Sequence, residues 1–83
     1  MLPPDLEASV RTFVARETRT PADSIGRDTP LVSSGVLDSV GLVRLATLLE
    51  RRLGIRIPDR DVTVEHFDTL ERIAAYAERR TSR

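Results

Sequence analysis

One stretch of this chain places a hydroxyl and a carboxylate where they could do chemistry. In Gly35-Val36-Leu37-Asp38-Ser39-Val40-Gly41-Leu42 an acid directly precedes a serine, where an irregular segment gives way to an apolar periodic one. Either Asp38 or Ser39 suits the N-cap of the helix that follows, since both residue types accept a hydrogen bond from the first-turn backbone. One cap is enough, and the residue three positions after Asp38 is Gly41, so no reciprocal capping box uses the pair. If Asp38 caps, the Ser39 hydroxyl is left free and exposed at the first turn. A phosphodiester on that hydroxyl would sit beside the unpaired N–H groups and the positive end of the helix dipole. Asp38 would then orient the hydroxyl or bind a metal held by a modifying enzyme.

Other chemistries find no support. The 83 residues contain no cysteine, which excludes disulfides, thiolate metal sites and a cysteine nucleophile. The single histidine, His66, has no metal-ligating or triad companions and reads as a surface or capping imidazole before Phe67. No metal site is expected. There is no glycine-rich phosphate loop, and no pair of carboxylates is spaced within an apolar context. A minimal hydrolase built on Ser39 lacks both a base and an oxyanion arrangement. The chain is not expected to be an enzyme.

Composition narrows the partners. Thirteen basic residues, all arginine, balance 13 acidic ones, so the broad positive field that drives nucleic-acid binding is missing. No apolar stretch approaches the roughly 20 residues of a membrane span. The opening Met1-Leu2-Pro3-Pro4-Asp5 lacks the basic and apolar regions of a signal peptide, which makes the cytoplasm the default compartment. Residues 1–83 are expected to form a single domain, because a second core could not be built from so short a chain. Aromatics make up only 4%, so that core must come from Leu, Ile, Val and Ala.

The elements that must position Ser39 follow from periodicity. Leu6, Val10, Phe13 and Val14 lie on one stripe of a first helix from about Pro4 to Thr18, with prolines and acids at its start. From Arg19 to Leu37 the period vanishes among turn signals, with a short helical piece near Ala22–Ile25 and Ile25, Leu31, Val36 and Leu37 as pins. Leu42, Leu45, Ala46, Leu49 and Leu53 define the buried face of a second helix from about Ser39 to Leu53, closed by Gly54. A short third helix or turn is expected over Asp59–Glu65, with Val62, Val64 and Phe67 inward. The fourth runs from Thr69 to about Arg80, with Leu70, Ile73, Ala74 and Ala77 inward, Asp68 as its N-cap and Glu71 as capping-box partner. The fold class is thus all-α: a four-helix bundle with three longer helices, one short helix and a long first loop.

With these residues in place the chain resembles the acyl carrier and peptidyl carrier protein family. The likeness runs through Asp28-Thr29-Pro30-Leu31, Gly35 to Ser39, Leu42, Leu45, Leu48-Leu49-Glu50, Leu53-Gly54-Ile55, Ile57-Pro58 and Val62 to Leu70. It implies that 4′-phosphopantetheine from coenzyme A is joined to Ser39 by a phosphopantetheinyl transferase, with Asp38 beside the attachment point. The arm would hold an acyl or aminoacyl group as a thioester and present it to partner enzymes. Val36, Leu37, Val40, Val43, Arg44 and Arg51 are the candidates for partner recognition, with Val36 and Leu37 also anchoring the loop.

Val40 stands where the family usually has leucine, and the second helix carries Arg44, Glu50, Arg51 and Arg52 instead of the acid-rich face of fatty-acid carriers. The Asp-Ser-x-Gly wording and Gly54-Ile55-Arg56-Ile57-Pro58-Asp59 are closer to discrete carriers loaded by freestanding adenylating enzymes in polyketide or nonribosomal-peptide-type pathways. A D-alanyl carrier or a fatty-acid-type carrier is the alternative within the family. A small helical adaptor or DNA-binding bundle without a prosthetic group is the alternative outside it. A monomer is expected, since one small core uses the apolar faces.

Overall fold

The computed structural model describes residues 2–81; Met1, which opens the segment read above for a signal peptide, lies outside them. Four helices appear in chain order: α1 (Pro4–Thr18), α2 (Ser39–Leu53), α3 (Val64–Phe67) and α4 (Leu70–Thr81). Single 3-10 turns stand at Ala22–Ser24 and Asp59–Asp61, and the described residues contain no strand. The all-α bundle with a long first loop is therefore the observed architecture.

Helix α1 starts as its prolines dictate. Pro3 precedes it, Pro4 occupies the first turn, and Asp5 and Glu7 lie against the positive end. Leu6, Val10 and Val14 are its buried stripe, and Phe13 packs half-buried at the edge. Helix α2 buries Leu42, Leu45, Ala46 and Leu49 against α1. Gly54 closes it with a φ of 65°, a conformation that costs glycine little, and the N–H groups of Gly54 and Ile55 both reach the Glu50 carbonyl. Helices α3 and α4 pack together over Phe67, Leu70 and Ile73, completing one buried apolar cluster that is mostly aliphatic but includes Phe67 and Tyr76. None of the described helices is long and apolar enough to cross a membrane.

Several expectations need correction. The segment expected as a short helix or turn over Asp59–Glu65 divides in two: a 3-10 turn at Asp59–Asp61 and the single turn of α3, which runs on to Phe67. Val64 is exposed and Val62 only half-buried, so Phe67 alone of that trio is fully inward. Tyr76, absent from the expected core, is buried in α4, and its hydroxyl donates to Asp61 Oδ2 at 2.7 Å. Ala74, expected inside, is half-buried.

The start of α4 also differs. Asp68 does not cap it, and no capping box with Glu71 forms; Thr69 Oγ1 accepts the Arg72 N–H at 3.1 Å instead. The Glu71 N–H goes to the Arg27 carbonyl. Asp68 is buried and faces the other way, into the long loop.

The loop is pinned by Ile25, Leu31 and Leu37, all buried, as expected. Val36 is not a pin: it is 44% exposed. Gly35 at φ 82° turns the chain, and the Leu37 N–H bonds back to the Leu31 carbonyl at 2.8 Å. That closure sends Leu37 inward and its neighbour outward.

Candidate functional site

Ser39 is the first residue of α2, and Asp38 is its cap. Asp38 Oδ1 accepts the Gly41 N–H at 2.8 Å, while the Asp38 carbonyl receives the Leu42 N–H. A cap of this kind stabilises a helix by about 1 kcal/mol. It also leaves the serine uncommitted. Ser39 is exposed, and its hydroxyl and N–H, like the Val40 N–H, have no partner among the described residues. The result is an exposed oxygen nucleophile beside two open backbone donors at the positive end of a 15-residue helix.

Gly41 makes this turn possible. A Cβ there would stand 2.6 Å from Leu37 Cδ1 and 3.3 Å from Glu17 Cγ. Only the bare backbone lets Leu37 tuck under the first turn while α1 approaches from the side. This packing role is not legible locally, because the neighbours of Gly41 come from another helix and from the loop.

The loop leading to Ser39 is held from the far side of the molecule by Asp68. Its Oδ1 accepts the N–H groups of Leu31 (3.2 Å), Val32 (2.8 Å) and Ser33 (2.9 Å), and Oδ2 accepts the Ser33 hydroxyl at 2.8 Å. Burial alone would favour the neutral acid, but the bonds from Ser33, Val32 and Leu31 outweigh it and hold the carboxyl below its ordinary pKa. The Leu31 N–H also reaches the Asp68 carbonyl, so backbone and side chain grip one segment.

The candidates for partner recognition divide into two groups. Val40 and Val43 are 57% and 58% exposed and, with Val36, Arg44 and Arg51, stand at the surface. Leu37 is buried, so it cannot touch a partner and serves the loop instead. Two charges read as part of the exposed face of α2 serve the fold as well. Glu50 Oε2 accepts the Ile57 N–H at 2.7 Å, and Arg52 reaches Ser9 Oγ at 2.8 Å and Asp5 at 3.6 Å. Arg44 is exposed yet lies 3.5 Å from Glu17 of α1. His66 stacks at 4.8 Å on Tyr76, with Arg79 3.4 Å from its Nδ1, and no cluster of metal-ligating side chains occurs among the described residues.

A groove of about 240 Å³ runs from Ser39 along α2. Leu42, Ala46 and Ile57 form apolar walls, with Glu50 and Asp59 also in its lining. An exposed hydroxyl, open helix-end donors for a phosphate and an apolar channel alongside all fit a phosphate-linked chain.

The family model for the phosphopantetheine attachment site matches residues 8–77. The chain belongs to that family. It is a carrier protein with a phosphopantetheine attachment domain, a carrier of covalent 4′-phosphopantetheine and not an enzyme. D-alanyl carrier protein 1 of Lactiplantibacillus plantarum is 34% identical to it over 74 residues, covering 89% of this chain and 91% of the relative. Carriers of this family meet a phosphopantetheinyl transferase and acyl-processing enzymes in general.

Proposed function

We propose that Ser39 Oγ is the attachment point and that the protein is a discrete carrier of an aminoacyl or small acyl group. The observation that carries this reading is the division of labour at the start of α2: Asp38 caps, and Ser39 remains exposed and unbonded. On modification the Oγ–H proton leaves as the Oγ–P bond forms and the nucleotide part of coenzyme A departs. The N–H groups of Ser39 and Val40 then lie beside the phosphate. Once attached, the arm supplies a terminal thiol that holds its cargo as a thioester.

Asp38 uses one oxygen for the cap, leaving Oδ2 for a metal on the transferase. Asp38→Asn separates these roles, since asparagine also caps well. Slower modification with unchanged helix content is expected; unchanged modification would leave Asp38 as a cap only.

Val36, Val40 and Val43 form the apolar part of the docking surface and Arg44 and Arg51 its polar rim, a small transient contact suited to several enzymes visiting one carrier. With Glu50 turned to Ile57, the exposed face of α2 carries no acidic side chain. Charge complementarity governs encounter and partner choice, so this face suits the enzymes of a dedicated natural-product pathway better than a fatty-acid synthase that expects an acidic carrier. The likeness to a D-alanyl carrier protein favours a second reading, in which a freestanding adenylating enzyme loads D-alanine. Aminoacylation of the holo protein by such enzymes, read by intact mass across amino acids and small acids, separates the two: D-alanine alone would favour the second.

A further inference from the structure

We infer that Asp68 is a positioning residue for the modification of Ser39: it orders residues 31–37, so that a phosphopantetheinyl transferase meets a loop already in its binding conformation. The inference rests on Ser39 as the attachment point and brings a residue from the opposite half of the chain into that reaction.

Asp68 is itself firmly placed. It stands between α3 and α4, its N–H bonds to the Val64 carbonyl at 3.0 Å, and its neighbours Phe67 and Leu70 are buried. The loop that it grips has two halves with separate supports. The first half is tied at Ile25, whose carbonyl accepts Arg11 Nε–H at 2.7 Å, and at Arg27, whose carbonyl accepts the Glu71 N–H at 3.1 Å. From Leu31 to Leu37, every hydrogen bond that arrives from outside the loop, among the described residues, involves Asp68. The other bonds of that stretch stay within the loop: Gly35 N–H to the Val32 carbonyl, Leu37 N–H to the Leu31 carbonyl, and the Ser34 hydroxyl to the Pro30 carbonyl.

The grip reaches Ser39 through Leu37. Fixing Leu31 fixes the carbonyl that holds the Leu37 N–H, and Leu37 packs beneath the first turn of α2, where Gly41 leaves it room. Asp38 and Ser39 follow directly. The Asp38 cap ties only its own turn of helix, so it orders nothing upstream. Without the Asp68 carboxylate, three successive N–H groups and the Ser33 hydroxyl lose their acceptor, and open forms of the loop bonded to water become populated. An enzyme that needs the closed form then binds only that fraction. Its apparent affinity falls, while the bound complex is unchanged.

The test separates KM from kcat. Modification by a broad-specificity phosphopantetheinyl transferase at saturating coenzyme A is followed by intact mass for the parent, Asp68→Asn, Asp68→Ala and Leu53→Ala. Leu53 is half-buried at the far end of α2, so its truncation lowers stability and leaves the loop intact. Amide hydrogen exchange then locates the change in each folded variant. Asp68→Asn is expected to raise KM for the carrier severalfold with kcat within about twofold. Exchange at Val32, Ser33 and Leu37 should quicken in that variant by more than exchange at Leu45 and Leu49. Asp68→Ala should show larger effects of both kinds; if it fails to fold, Asp68→Asn alone decides. Leu53→Ala should keep the parent KM. An unchanged KM in Asp68→Asn, loop amides that exchange no faster than in the parent, or an equal rise of KM in Leu53→Ala would overturn this inference alone. No mass gain in the parent would overturn the attachment reading and this one with it.

Discussion

The chain on the two sides of Ser39 is built to opposite rules. Before it, residues 19–38 have almost no regular structure, yet Asp68 gathers three successive N–H groups and a hydroxyl while Ile25, Leu31 and Leu37 fill the core beneath. After it, α2 is regular, but Val40 and Val43 are left uncovered on its outer face. The irregular side is held tightly and the regular side is open. Stability concentrates where the serine must be positioned, and exposure where an enzyme must reach it.

The contrast can be broken most severely at Asp68. Asp68→Ala strands the Leu31, Val32 and Ser33 donors in a partly buried site, and a loss of about 3 kcal/mol in denaturant unfolding is expected. Asp68→Asn keeps an acceptor for the three N–H groups and should cost clearly less. Acid sharpens the same point. Because the folded pKa of Asp68 lies below its unfolded value of about 3.9, its contribution is fully present above that value and is lost as pH falls through the folded pKa. Glu7, whose pKa is lowered chiefly by the Arg27 hydrogen bond and further by Arg11, adds loss of the same sign. The slope of stability against pH below about 4 should therefore shrink, but not vanish, in Asp68→Asn.

A smaller break lies at Gly41. Alanine is the better helix former by roughly 1 kcal/mol, yet its Cβ would press on Leu37 and Glu17. Overpacking typically costs about 1–3 kcal/mol, so Gly41→Ala should be net destabilising by about 1 kcal/mol, read by thermal unfolding. A stabilised variant would mean that Leu37 moves aside freely.

Tyr76→Phe removes the bond to Asp61 and should cost about 1 kcal/mol in the same assay. On the open side the expectation reverses. Val40→Ala and Val43→Ala should leave stability within about 0.5 kcal/mol while slowing modification by the transferase. A large stability loss at either valine would mean that they cover the core after all.

Much of this was legible locally. The stripe of α2, its Gly54 stop and the Asp38 cap all depend on residues within a few positions of one another, and the free serine follows from the cap. Asp68, Thr69 and Glu71 mimic a helix start in sequence, whereas the partners of Asp68 at 31–33 are remote in the chain. Val36 and Leu37 are alike in chemistry and adjacent; the turn at Gly35, not their hydrophobicity, decides which goes inside. Tyr76 escaped because its hydroxyl needs a buried partner, and Asp61 becomes one only when the 3-10 turn meets α4. Gly41 is visible in sequence as part of a motif, but the reason for it lies in Leu37 and Glu17, its neighbours in space.

The most direct test of the central claim is intact mass before and after incubation with coenzyme A and a broad-specificity phosphopantetheinyl transferase, with Ser39→Ala alongside. The account requires a gain of one phosphopantetheine in the parent and none in the variant. A folded parent that gains nothing, or a Ser39→Ala protein that gains the same mass, would contradict it.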